Sequence, residues 1–166
     1  MILGMSTATY TFLHVLISLL GIGLGFVVMF GFLTGKRVDR WTATFLATTA
    51  LTSISGFGFP FERLLPSHIL AIMSLAMLAL AIPARYVFHL VGAWRSVYVI
   101  TATLALYFNV FVLVVQSFEK VPALKALAPT QKEPPFVVAQ LLVLLIFATL
   151  TILATVRFHP ERVGTA

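Results

Sequence analysis

The side chains with the most chemistry in them are four histidines, His14, His68, His89 and His159. A neutral imidazole ligates haem iron or another transition metal, and two imidazoles on neighbouring helices can share one ion. His14 and His68 each stand near the start of a long apolar run. If both runs are helices entering the membrane from the same face, a rise of 1.5 Å per residue puts the two rings within about 5 Å of the same depth. Gly21 and Gly25 follow His14 down the first run and would leave room for a flat macrocycle. His14 and His68 are therefore the candidate cofactor-binding residues, with haem b as the cofactor they would suit. The plainer reading makes His14 a packed polar residue and the other three interfacial.

His89 and His159 form a second pair toward the opposite face. The set resembles that of small membrane b-type cytochromes with one haem near each face. It departs from them in that His68 and His89 stand about 30 Å apart along one helix. No motif beyond the four histidines carries this resemblance. Met73 and Met77, four apart, offer thioethers that Cu(I) accepts, with Met29 elsewhere, although methionine is equally an apolar gap filler.

Other chemistries have less to stand on. Every carboxylate, Asp39, Glu62, Glu119, Glu133 and Glu161, lies outside the apolar runs, where proton pumps and intramembrane hydrolases need an acid inside. Ser55–Gly56 has part of the nucleophile pattern of intramembrane serine proteases, but Ser53 occupies the place of its first glycine. Zincin and α/β-hydrolase signatures are absent. With no cysteine in the chain, thiolate metal sites, thiol relays and disulfides are excluded.

The elements that would position these residues follow from composition. Apolar residues make up 60% of the 166, charged residues 10%, and mean hydropathy is +1.06, so lipid is the solvent for most of the chain. Buried peptide groups in hydrocarbon must bond internally, and the runs lack the alternation of barrel strands, so they are helices. The expected fold is an all-α membrane bundle, a single transmembrane domain over residues 1–166 with helices near 10–33, 41–59, 67–86, 96–118 and 135–156. The first run reads as a span rather than a cleavable signal. The second is short and rich in Thr and Ser, and the alternative is four spans plus a re-entrant segment.

Charge sets the expected orientation. Lys36, Arg37, Arg40, Arg85, Arg95, Arg157 and Arg162 fall on one side of a five-span bundle, and Arg63, Lys120, Lys125 and Lys132 on the other. The positive-inside rule then puts the N-terminus outside and the C-terminus in the cytoplasm, with Trp41 and Trp94 at the cytoplasmic interface. The +6 net charge is a matter of loops and anionic lipid rather than of nucleic acid. Arg85, just after Pro83, is expected to snorkel to the interface.

Packing accounts for most other polar and small residues. Gly21 with Gly25, and Gly31 with Gly35, are GxxxG pairs that let helix backbones approach in lipid. Thr48 and Thr52 belong to a hydroxyl stripe on the second helix. Tyr98, Asn109 and Gln116 share a face of the fourth, and Gln140 lies on the fifth. These would bond between helices or line a polar pathway. Three functions follow. The first is a non-catalytic accessory subunit binding lipid, other membrane subunits or a second copy in a bacterial inner membrane. The second is a redox protein using His14 and His68, and the third a small-solute carrier along the Asn109 path.

Overall fold

The computed structural model of the chain describes Ile2, residues 4–60 and residues 66–159. Glu62, Arg63, Glu161 and Arg162, which entered the charge argument, lie outside the described residues. Among the described residues the structure is helical, with one isolated bridge between Ile2 and Met5 and no strand. In chain order the helices are α1 (Thr7–Leu33), α2 (Asp39–Gly56), α3 (Pro66–Tyr86), α4 (Ala93–Lys120), α5 (Pro122–Leu127) and α6 (Pro134–Arg157).

Each boundary has a local cause. Ser6 caps α1, accepting from the Thr9 N–H at 3.1 Å, which satisfies one of the orphan donors of a helix start. The other end closes on Gly35 at φ +69°, and the Lys36 N–H returns to the Gly31 carbonyl at 2.9 Å. Asp39 opens α2 with the carboxylate that a helix N-terminus favours. Pro122 and Pro134 start α5 and α6, where a missing N–H costs nothing. At the end of α6, Arg95 donates to the Thr155 carbonyl at 2.9 Å and the Phe158 carbonyl at 2.6 Å, a cation against the negative end of the helix dipole.

Four of these helices, α1, α3, α4 and α6, are long and apolar enough to cross a membrane. The long helices alternate in direction. α1 packs on α2, α2 on α3, α3 on α4 and α4 back on α1, while α6 lies along α1 and α4. α4 is thus the hub, and it buries Tyr98, Val99, Ala102, Ala105 and Leu106. Ala81 and Ala84 of α3, like Ala102 and Ala105, are fully buried small residues of the kind that let helix backbones come close without hydrophobic drive. By contrast α6 buries just Phe147 and Ala154, leaving most of an apolar surface outward.

The second helix differs from the other long ones in its polarity. It contacts α1, α3 and α4 at once, and its buried set includes Thr42, Thr48, Thr49 and Ser53. Hydroxyls on those buried faces are kept from lipid, while Trp41, Leu51 and Ile54 of the same helix face outward.

Candidate functional site

At the end of the bundle holding the α1 N-terminus, Tyr10 and His14 are one helical turn apart on α1 and both reach the last turn of α2. The Tyr10 hydroxyl donates to the Ser55 carbonyl at 2.7 Å, and His14 Nδ1 lies 2.7 Å from Ser55 Oγ. Ser55 Oγ also donates to the Thr52 carbonyl at 3.2 Å. The Phe59 ring stands edge-on to both, at 5.0 Å from Tyr10 and 5.2 Å from His14.

His68, buried at the start of α3, stacks on Phe57 with ring centres 5.3 Å apart. Both candidate histidines therefore meet the C-terminal segment of α2, His14 through Ser55 and Phe59, and His68 through Phe57. The space expected below His14 is filled. A Cβ on Gly21 would come within 3.2 Å of Thr48 Oγ1, and one on Gly25 would strike Leu106 and come within 2.9 Å of Phe45. The Gly21–Gly25 stripe is a helix contact with α2 and α4, and it leaves no slot for a macrocycle. Met29 lies in the core and Met73 faces outward. Among the described residues no group of three or more metal-ligating side chains converges.

The second glycine pair has another role than the GxxxG contact expected of it. Gly31 lies against Val38 and the Lys36 carbonyl, and Gly35 is the left-handed residue that ends α1. Both serve the turn into α2, because a Cβ at either would obstruct or strain that reversal.

Toward the middle of the bundle most polar residues bond within their own helix or to a neighbouring one. The Thr48 hydroxyl bonds back to the Thr44 carbonyl at 2.8 Å, and Asn109 Nδ2 meets Thr49 Oγ1 at a long 3.5 Å. Thr52 Oγ1 is buried without a hydrogen bond. Gln140 bridges α6 to α4, donating to the Phe111 carbonyl at 3.3 Å, whereas Gln116 is exposed. The expected face of Tyr98, Asn109 and Gln116 is thus interrupted: its first member is sealed inside, its second bonds across to α2 and its third leaves the bundle.

At the opposite end, Arg85 overturns the expectation that it snorkels. Its side chain is 3% exposed and forms an ion pair from Nη2 to Asp39 Oδ1, the same oxygen that accepts from Arg37 Nε at 3.3 Å. The guanidinium lies over the Tyr98 ring at 5.2 Å and the Tyr86 ring at 5.6 Å, a cation–π arrangement that helps hold a charge away from water. Tyr98 is fully buried, braced edge-on by Phe32. Its hydroxyl sits beside Thr42 and Arg85 yet makes no hydrogen bond of acceptable geometry. Arg85 Nε is likewise buried without a hydrogen-bond partner.

Arg85 lines an open cleft of about 400 Å³ together with Arg37, Asp39, Arg40, Tyr86 and His89. Sequence reasoning passed over this site because it treated Arg85 through its neighbours in the chain. The available signal was one acid set among the cations of Lys36-Arg37-Val38-Asp39-Arg40, a loop whose carboxylate is placed to receive a cation from another helix. No family model matches the chain, and neither a curated protein nor a solved structure matches it.

Proposed function

We propose that this chain is a non-catalytic, five-span membrane subunit that binds lipid or a partner helix, with its N-terminus outside and its C-terminus in the cytoplasm. The observation that carries the reading is the use made of the polar side chains inside the bundle. Thr48, Ser53, Thr101 and Thr103 each return the hydroxyl to a carbonyl of their own helix within 3.0 Å. Groups satisfied in this way offer little to a substrate or a permeating solute. The outward apolar surface, most of all that of α6, from Val137 and Leu141 to Ile152 and Val156, is open to contact with lipid or a partner helix.

Two contacts support counting α2 as the fifth span. Ser55 at its C-terminal end meets Tyr10 near the start of α1, and Asp39 at its first residue meets Arg85 near the end of α3. At 18 residues α2 is about 27 Å long, close to the roughly 30 Å of hydrocarbon. The absence of native cysteine gives a direct topology test. Single cysteines at Lys36 and Lys125, probed with an impermeant maleimide in right-side-out vesicles, are expected to be protected and labelled respectively. The same result at both positions, labelled or protected, overturns the fifth span.

The subunit reading is tested by purification in mild detergent followed by native mass measurement. A stoichiometric partner, a second copy or retained lipid is expected. A lipid-free monomer that conducts solute in liposomes overturns the reading, and Asn109→Leu then tests the carrier path.

A further inference from the structure

We infer that the arginine cleft at the α1–α2 loop is a binding site for a phosphate group, supplied by an anionic lipid headgroup. The first observation is a charge imbalance. Arg37, Arg40 and Arg85 contribute three permanent positive charges to one cleft, and Asp39 is the single carboxylate among its walls. Asp39 Oδ1 already serves both Arg37 and Arg85, so Arg40 and most of the donors of the other two guanidiniums remain for a ligand. Guanidinium is the side chain best suited to this role, since its planar fork matches two phosphate oxygens and its charge does not titrate.

The second observation is independent of the count. Arg85 is almost wholly buried, lines the cleft and leaves Nε without a hydrogen bond. An unsatisfied N–H on a buried cation is costly, and an oxyanion entering from the cleft would satisfy it. The guanidinium carbon lies over the rings of Tyr86 and Tyr98 at 5.6 and 5.2 Å, contacts that hold its charge without using its N–H groups as hydrogen-bond donors to oxygen.

The source of the phosphate follows from position, and here the inference rests on the membrane reading proposed above. The cleft lies where α1, α2 and α3 meet their loops, the depth of lipid headgroups if those helices span the bilayer. Tyr86 among its walls is exposed, as is Trp41, next in the chain to Arg40, and aromatic side chains favour that depth.

The test uses the full chain in nanodiscs of phosphatidylcholine with or without about one-quarter phosphatidylglycerol, followed by release into mild detergent and native mass spectrometry of the lipid retained. The wild-type protein is expected to retain phosphatidylglycerol in preference to phosphatidylcholine. Replacing the two exposed arginines, Arg37→Gln with Arg40→Gln, is expected to reduce that preference on the order of tenfold. The control Lys120→Gln with Lys125→Gln removes equal charge at the other end and is expected to keep it.

Equal retention of the two lipids by the wild-type protein overturns the proposal, as does an equal loss in the arginine and lysine pairs. Inorganic phosphate is the second arm. If millimolar phosphate stabilises the delipidated protein against heat as much as phosphatidylglycerol does, and the arginine pair abolishes both effects, the lipid source is overturned and a soluble phosphate ligand replaces it. The readout is on the isolated chain, so it stands apart from whether a partner subunit co-purifies. Failure of the maleimide topology test, by contrast, would strike the membrane reading and not the phosphate chemistry.

Discussion

His14 Nδ1 and Ser55 Oγ meet at 2.7 Å across 41 positions of sequence, and with the Tyr10 hydroxyl on the Ser55 carbonyl they tie the start of α1 to the end of α2. Hydrogen bonds between membrane helices contribute about 0.6 kcal/mol on average and up to about 1.7. His14→Ala and Ser55→Ala are each expected to destabilise the protein by about 0.5–1.5 kcal/mol, and the double variant by less than their sum. Unfolding in mixed micelles measures the cycle. Full additivity would show that the bond contributes nothing.

The same histidine gives a spectroscopic prediction. Because Thr48, Phe45 and Leu106 fill the space beside Gly21 and Gly25, protein purified from haem-supplied cells is expected to show no Soret band. A band lost in His14→Ala would reinstate the redox reading.

Glycine substitutions separate contact from open surface on a single helix. Gly25→Ala would drive a methyl into Leu106 and Phe45, whereas a Cβ at Gly23 meets nothing within 4 Å. Overpacking of this kind costs about 1–3 kcal/mol, while alanine at an open helical site is neutral or favourable by up to about 1 kcal/mol. Leu106→Ala should restore part of what Gly25→Ala loses. Equal stability of the Gly23 and Gly25 variants would remove the close contact from the account of α1.

How far sequence led can be judged from particular residues. The long apolar helices were legible because hydrocarbon demands about 20 apolar residues per span, and α3 and α6 begin and end within about a residue of where hydropathy puts them. The Gly21–Gly25 stripe was legible as packing for the same reason of periodicity. Gly31 and Gly35 shared the spacing but not the role, because the chain reverses just beyond Leu33 and the motif carries no sign of that turn. Arg85 was misread because snorkelling is an argument about a side chain and the nearest interface, while its partner Asp39 lies 46 positions away. The pairing of His14 with Ser55 was hidden likewise. Each residue lies on a recognisable stripe, but only helix packing decides which stripes face each other.

Arg85 and Asp39 predict a pattern that distinguishes a buried pair from a surface one. Asp39→Asn leaves the guanidinium buried with its charge less well compensated and is expected to cost about 1–3 kcal/mol, moderated because the Asp39 side chain is 63% exposed to water. Removing both charges, Asp39→Asn with Arg85→Gln, is expected to cost less than the two single changes together. If Asp39→Asn alone is neutral, the interaction with Arg85 is no stronger than an ordinary surface ion pair.

Glu133, at the start of α6, carries the pH prediction. Partial removal from water works upward on its carboxyl, but hydrogen bonds from Thr130 and from backbone N–H groups at Thr130, Lys132 and Glu133 outweigh it, holding the pKa below the ordinary glutamate value. The Thr130 hydroxyl donates at 2.8 Å, its N–H at 3.2 Å and the Lys132 N–H at 3.1 Å. A depressed folded-state pKa means that the contribution is complete above the unfolded value, and is lost as pH falls through the lower folded one. Protection of the Thr130 and Lys132 amides from exchange should therefore persist into the ordinary glutamate range and fail below it. In Glu133→Gln that protection should be weaker and nearly independent of pH. Exchange rates corrected for the intrinsic effect of pH decide the matter: an unchanged pH profile in Glu133→Gln would mean that the loop is held by its prolines, Pro129 and Pro134, and not by this carboxylate.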